Sequence, residues 1–423
     1  MITDNRTTIS NISNAPLYWL ALGTFAVGAE GFMIAGILPS IAADLAVSVS
    51  VAGQLVAAFA FAYAISSPIL TALSGSLNRR RLLIIAMGAF ALANLLAWSA
   101  SGYWSLMGAR ILLAFAAGVY VPSANALAGA LVAPERRGSA LAIVNGGLTV
   151  AIALGVPLGT FVANTLGWRM TFAGLALIAA GATAGLSFGL PENIGAGLPS
   201  ANLRDRISVA RQPAVLLALL GTTLWAMGGY TVYTYLALFV QEATTIQGAH
   251  VGLILFTWGA SAAIGVAVGG MGNDKLGFRS VILPALASMI AAFLTLSASA
   301  HLISKTVAIA PVFLAVVVWG IAAWAFYPAQ QARLIAIAGV KLAPIALSLN
   351  ASFMYLGFSL GAGAGSLTLA YSHASNLGLV ATGFVAASLL LTLRTTRPLV
   401  SAAGPTTHPA AISPALSAKK AAC

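Results

Sequence analysis

Residues 251–300 read VGLILFTWGASAAIGVAVGGMGNDKLGFRSVILPALASMIAAFLTLSASA. Two uncharged apolar runs flank a short polar segment, Gly270 to Arg279, that holds Asp274, Lys275 and Arg279. A helix of about 20 apolar residues crosses a hydrocarbon core of about 30 Å. With no water there to satisfy backbone groups, a spanning segment must close its own hydrogen bonds. The stretch therefore predicts two membrane-crossing helices joined by a tight polar hairpin.

The same reading extends along the whole chain. Cutting at charges, Pro and Gly gives spans at roughly 16–39, 51–73, 82–101, 104–130, 139–163 and 167–190. A second set follows at roughly 213–240, 249–271, 280–300, 307–333, 343–369 and 376–394. Composition agrees. The 423 residues are 60% hydrophobic and 7% charged, against about 25% charged for a soluble domain. A soluble enzyme, a disordered protein and a disulfide scaffold are excluded, and the single cysteine is the last residue, Cys423. The net charge of +12 falls in short islands between apolar runs, as membrane topology requires, and does not mark a nucleic-acid partner.

Those islands set the orientation. Of 20 Lys and Arg, Arg169 and Lys305 fall on one side and Arg110 within a span. The other seventeen, including Arg6, Arg79, Arg80, Arg81, Arg136, Arg137, Arg397, Lys419 and Lys420, share the side of the termini. By the positive-inside rule both termini are expected in the cytoplasm. Between the two sets of six lies one polar break, expected as a connecting loop at 191–212, containing Glu192 and Arg206. The chain thus divides into an N-terminal six-helix bundle (1–190), that linker, a C-terminal bundle (213–394) and a cytoplasmic tail (395–423). The halves echo one another. Gly75-Ser-Leu-Asn78-Arg79-Arg-Arg answers Gly270 to Arg279, and Leu154-Gly155-Val-Pro157-Leu-Gly159 answers Leu360-Gly361-Ala-Gly363-Ala-Gly365. The fold class read here is all-α: twelve membrane helices in two pseudo-symmetric bundles, an architecture suited to a rocking transporter.

These motifs resemble the major facilitator superfamily, in particular its drug:proton antiporter branch. Gly270, Asp274, Lys275, Gly277 and Arg279 match the family's signature for the loop between the second and third helices of a half. The resemblance implies a conformational latch there. Glycine allows a tight helix exit, the carboxylate can cap the neighbouring helix, and the cations can anchor to lipid headgroups. The first-half copy departs, with Asn78 and Arg79 where the acid is expected. Gly147, Gly155, Pro157 and Gly159 resemble the branch's antiporter motif, which implies exchange; small residues four apart also serve close helix packing. Ala133-Pro134-Glu135-Arg136-Arg137 and Gly167-Trp168-Arg169-Met-Thr-Phe172 resemble further family stretches. Ala42-Ala-Asp44-Leu, Tyr230-Thr-Val-Tyr233-Thr-Tyr235 and Trp319 to Gln331 resemble the sugar- and purine-efflux permeases.

Glu30 is the only carboxylate near the middle of any span. An ionisable group there is expensive, and by default faces a cavity or a partner. A carboxyl kept from water favours its neutral form, so Glu30 is a candidate carrier of a coupling proton. Arg110, the basic counterpart in span 4, resembles a buried arginine of the family and can pair with Glu30 or snorkel to headgroups. The resemblance implies that spans 1, 4, 7 and 10 line the substrate cavity. On them Asn125, Tyr230, Tyr233, Trp319, Trp324, Tyr327 and Gln330 offer faces to stack on planar solutes and polar tips to orient them. The expected function is a proton-coupled antiporter exporting a small solute from a bacterial cytoplasm through the inner membrane. That solute is a purine base or nucleoside, a sugar or an amphipathic drug. An uncoupled facilitator or a proton symporter is the alternative. The expected partners are the solute, protons and lipids, the expected state a monomer. Neither a cofactor nor a metal site is expected, because the proton gradient supplies the work and the four histidines are scattered.

Overall fold

The computed structural model describes residues 14–74, 77–132, 136–191, 203–339 and 341–395, apart from the side chain of Ala249. Arg6, Glu135, Glu192, Arg397, Lys419 and Lys420 lie outside them. Among the described residues, twelve helices are long and apolar enough to cross a membrane. In the first half they are Ala15–Asp44, Val49–Leu73, Arg79–Trp98, Tyr103–Ala130, Arg137–Leu166 and Trp168–Gly189. The second half has Pro213–Tyr233, Val251–Leu276, Phe278–Leu302, Ile309–Ala338, Ala343–Tyr371 and Ala374–Thr395. They are numbered below as spans 1 to 12. An even number of crossings puts residues 15 and 395 on one face, here called the terminal side; the opposite face is the far side.

Local chemistry sets the boundaries. Ser48 caps span 2 by accepting from the Val51 N–H at 3.2 Å. Asn78 caps span 3 by accepting from the Arg81 N–H at 3.2 Å, so the residue standing where an acid was expected still performs the capping. Gly277, at φ 79°, ends span 8 and lets span 9 begin at the next residue, a backbone that side chains resist.

Two elements differ from the sequence expectation. The seventh run is not one helix. It breaks at Thr234–Tyr235 and resumes as Leu236–Ala243. The turn carries the Tyr235 hydroxyl to the carbonyl of Ala362, to which it donates at 2.9 Å. The expected connecting loop contains a helix, Leu203–Ala210. Span 5 keeps its continuity through a wider π-helical turn at Ala151–Gly155. Pro157 follows two residues later; lacking an N–H, it cannot hold a normal turn there.

Packing repeats between the halves. Spans 1 with 5, 1 with 6, 2 with 4, 3 with 4 and 3 with 6 form the first bundle. Spans 7 with 11, 7 with 12, 8 with 10, 9 with 10 and 9 with 12 repeat the set. Two lateral seams join the bundles: span 2 against span 11, and span 5 against span 8.

Those seams close the far side. Ser50 and Ser366 exchange hydroxyl-to-carbonyl hydrogen bonds at 2.8 and 2.9 Å. A side chain on Gly36 would strike Thr160 and come within 2.9 Å of Leu255. Nearer the middle, Tyr63 stacks on Tyr355 with ring centroids 3.7 Å apart. Toward the terminal side Arg206 of the linker helix donates to Ser348 at 2.7 Å and to Thr71 at 3.2 Å, clipping spans 11 and 2 together. Burial pushes the Arg206 guanidinium below its ordinary value, but an arginine has far to fall before it loses its proton. Spans 4 and 10 share no extended packing among the described residues.

Candidate functional site

Span 1 carries the centre of the molecule. Three of the four motif positions on span 5 are glycines, and each faces span 1. A methyl group on Gly147 would collide with the carbonyl of Ala21, one on Gly155 would stand 2.9 Å from the Cβ of Ala29, and one on Gly159 would stand 3.0 Å from Met33. Thr24 donates to the Val144 carbonyl at 2.6 Å across the same seam. Pro157 sits just past the π-helical turn. The motif builds a smooth, close surface along which span 1 lies, on either side of Glu30.

Glu30 and Arg110 form an ion pair in which both side chains have 0% exposure. The guanidinium also donates to the Leu55 carbonyl at 3.3 Å and stands 4.6 Å from the centre of the Phe59 ring. One carboxylate oxygen of Glu30 and the Arg110 Nη2 have no hydrogen-bond partner. The pair is held, but with one acceptor and one donor unused.

Phe32 lies two residues beyond Glu30, about 200° further round the helix. It projects into a cavity that otherwise belongs to the second half: Trp225, Tyr230, Tyr233, Trp258, Met289, Trp319, Trp324 and Phe358 line it, with Ala226, Gly229 and Ala323. Phe32 meets Tyr230, Tyr233, Trp258 and Trp324 at centroid distances between 5.9 and 6.4 Å. The Tyr233 hydroxyl donates to the Phe32 carbonyl at 3.0 Å, tying span 7 to span 1. Tyr230 stacks on Phe358 at 3.6 Å and lies close enough to the ion pair to feel both its charges. The space left is about 20 Å³, little more than a water molecule needs.

The structure brings together Glu30, Arg110, Tyr230, Tyr233, Trp319 and Trp324 around this centre. It sets others aside. Gln330 is buried but turned to span 7, donating to the Ala218 carbonyl at 2.7 Å and to Thr222 at 3.1 Å. Asn125 donates to the carbonyl of Val121 on its own helix at 3.2 Å and does not line the cavity. Tyr327 packs behind it, 6.3 Å from Trp225 and 6.0 Å from Trp324. At the start of the second-half loop, Asp274, Lys275, Gly277 and Arg279 are exposed; Asp274 accepts from Asn273 at 3.5 Å, and a side chain on Gly270 would meet open space. Two stretches far apart in sequence do meet on the far side. Asp44 pairs with Arg169 at 2.5 Å and accepts from the Trp168 indole at 3.2 Å, and Arg169 also donates to the Ala100 carbonyl at 3.1 Å.

Sequence reasoning missed Phe32, Trp258, Met289 and Phe358. Trp258 had a signal. Tryptophan in membrane helices concentrates at the interfaces, whereas Trp258 sits inside span 8 beside Gly259. Confining the search to spans 1, 4, 7 and 10 passed over spans 8, 9 and 11.

Comparison with known proteins gives a consistent picture. The family model described as Major Facilitator Superfamily matches residues 20–362. The uncharacterized MFS-type transporter YbcL of Bacillus subtilis (strain 168) is 33% identical over 352 residues, 83% of this chain and 88% of that protein. The inner membrane transport protein YdhP of Escherichia coli K12 is 32% identical over 388 residues, 91% of this chain and 96% of that one. A chloramphenicol resistance protein of Streptomyces lividans is 34% identical over 266 residues, 62% of this chain and 67% of that protein. Among solved structures, a mutant of the nucleoside transporter NupG superposes with a TM-score of 0.71 at 12% identity, covering 91% of this chain and all of that one. The human organic anion transporter MFSD10 gives 0.66 at 17% identity, covering 89% and 98%. At such identities the likeness is one of fold.

Proposed function

The chain belongs to the major facilitator superfamily, and on that premise we propose that it is a proton-coupled antiporter exporting a small solute by alternating access. That it is a multi-pass membrane transporter and not an enzyme follows from the family itself. Proton coupling, the direction of transport and the solute are the proposal.

One observation carries it: the fully buried Glu30–Arg110 pair, whose acid lies on the same helix as Phe32, the residue that plugs the aromatic cavity from the opposite face. A facilitator has no need of a titratable acid in the middle of the membrane, where a charge is costly. With Glu30 ionised, the pair is neutral overall. Once Glu30 takes a proton, Arg110 is left as an uncompensated cation in a low dielectric, a state that structure relieves by moving. Span 1 is free to move because span 5 offers it a glycine surface. Phe32 moves with it, and the cavity between the halves changes shape. The closed far side, with spans 4 and 10 unpacked on the terminal side, fits one end of such a cycle. With the termini in the cytoplasm, as the distribution of Lys and Arg supports, the side closed here is the outer one.

The proposal places the protein in a bacterial inner membrane, as YdhP is named, working as a monomer among lipids. Asp274, Lys275 and Arg279, with Gly270 and Gly277, serve as a latch in the opposite state. Purines, nucleosides, sugars and amphipathic drugs all fall within the class. The testing experiment is proton-release fluorescence in everted vesicles challenged with solutes of those kinds. Solute-driven proton release in the wild type and its loss in Glu30→Gln are expected. Undiminished release in that variant transfers the proton to another group, and solute flux with no proton movement in the wild type makes the protein a facilitator.

A further inference from the structure

The lining of the cavity narrows the solute, given the transport reading above. None of its residues is Asp, Glu, Asn, Gln, His, Lys, Arg, Ser or Thr. The polar side-chain atoms these residues carry are the indole N–H groups of the tryptophans and the hydroxyls of Tyr230 and Tyr233, the wall that faces the closed cavity being almost wholly apolar; the Tyr233 hydroxyl is already donating to Phe32. Three of the indoles, those of Trp225, Trp258 and Trp319, are buried with no acceptor for their N–H. An indole N–H donates and cannot accept, and a buried donor without a partner is a standing cost that an incoming acceptor removes.

From this imbalance we infer that the solute is an uncharged, planar aromatic molecule bearing hydrogen-bond acceptors, and that Trp225, Trp258 and Trp319 select for those acceptors. A free anion finds no counter-charge in the lining and forfeits its hydration; a cation can stack on the ring faces but cannot accept from the three indole N–H groups, which stay unpartnered. Arg110 and Glu30, the nearest charges, already neutralise each other. A sugar brings many hydroxyl donors and meets almost no acceptor. An aromatic solute finds ring faces on every side. The cavity is small because Phe32, its one first-half residue, is inserted; when the halves part, Phe32 withdraws and the second-half aromatics remain as a preformed cage.

The test uses four compounds on the full chain in lipid nanodiscs, measured by isothermal titration calorimetry with empty discs subtracted. Coumarin, naphthalene and N-methylquinolinium share a fused two-ring shape and differ in being an acceptor, apolar and cationic; methyl β-glucoside stands for sugars. Coumarin should bind most tightly. Trp225→Phe, Trp258→Phe and Trp319→Phe keep a ring and delete one N–H. At least one should weaken coumarin about 2- to 10-fold, the range of a neutral hydrogen bond, while leaving naphthalene unchanged. A purely packing role would shift both ligands together. Tighter binding of the quinolinium or the glucoside, no preference of coumarin over naphthalene, or coumarin affinity unmoved in all three variants would each overturn the assignment. The transport reading is judged separately. Glu30-dependent proton release driven by a sugar would sustain it while removing this solute class, and coumarin binding without any proton movement would do the reverse.

Discussion

Removing the charge of Glu30 separates the stability of the central ion pair from its use. Deleting one partner of a buried pair costs about 3–5 kcal/mol, because the survivor is left unpaired. Arg110 keeps only the Leu55 carbonyl and the Phe59 ring, the latter worth about 2 kcal/mol when desolvated. Glu30→Ala should therefore lose most of that range. Glu30→Gln keeps an oxygen able to accept from Arg110, a hydrogen bond to a charged group worth about 1.5–3 kcal/mol, so its loss should be about 2 kcal/mol. Replacing both partners by apolar residues, Glu30→Leu with Arg110→Met, removes the stranded charge and should recover stability close to wild type.

Transport should not recover with it. A membrane potential of about 150 mV supplies about 3.5 kcal/mol for each proton moved, enough for a several-hundredfold gradient of an uncharged solute. Unfolding in mixed micelles measures the first quantity, and steady-state accumulation in energised everted vesicles the second. Wild type should concentrate its solute. Glu30→Gln and the double variant should only equilibrate it. A double variant that is stable and still concentrates solute would refute the reasoning, since no ionisable group would remain in that pair.

Gly147→Ala places a methyl group against the Ala21 carbonyl, and overpacking of this kind costs about 1–3 kcal/mol. Slower transport should accompany a lower unfolding free energy, and an unchanged rate would free span 1 from the span 5 surface. Asp274→Asn should slow turnover while leaving solute affinity, read by calorimetry, within about 2-fold; a larger affinity loss would argue against the latch. The Ser50 and Ser366 hydroxyl oxygens are 3.0 Å apart, within reach of a disulfide once both carry sulfur. Ser50→Cys with Ser366→Cys, in a Cys423→Ser background, should lock the far side under oxidation. Transport should stop and return with reductant, and free transport in the crosslinked protein would mean that this seam never opens.

The twelve crossings were legible because each is a long uncharged run, a signal that depends on composition alone. The breaks within them were harder to read. Thr234 and Tyr235 are neither Gly nor Pro, and the turn there is set by what Tyr235 reaches in span 11, a contact that no local pattern encodes. The linker helix has no clear sequence signal because Leu203–Ala210 is short and half polar. Its Arg206 is explained only by Thr71 and Ser348, which come from opposite halves.

Glu30 and Arg110 could be read from the sequence for the opposite reason: charges are so few that any left inside a span are conspicuous. The aromatic cage could not, because aromatic residues abound in membrane helices and only the meeting of spans 7 to 11 shows which of them share a space. The residue that joins the two, Phe32, is one apolar side chain among many in span 1. Its position relative to Glu30 gives it meaning. Two residues apart on a helix, they face opposite ways, so one rigid rod presents a titratable group to span 4 and a plug to the second half. The glycines of span 5 let that rod lie close against it, and the Tyr233 hydrogen bond fastens it to span 7 with the far side closed. Under the proton coupling proposed above, a proton arriving on one face and a solute arriving on the other would act on the position of a single helix, each biasing the other without direct contact between them.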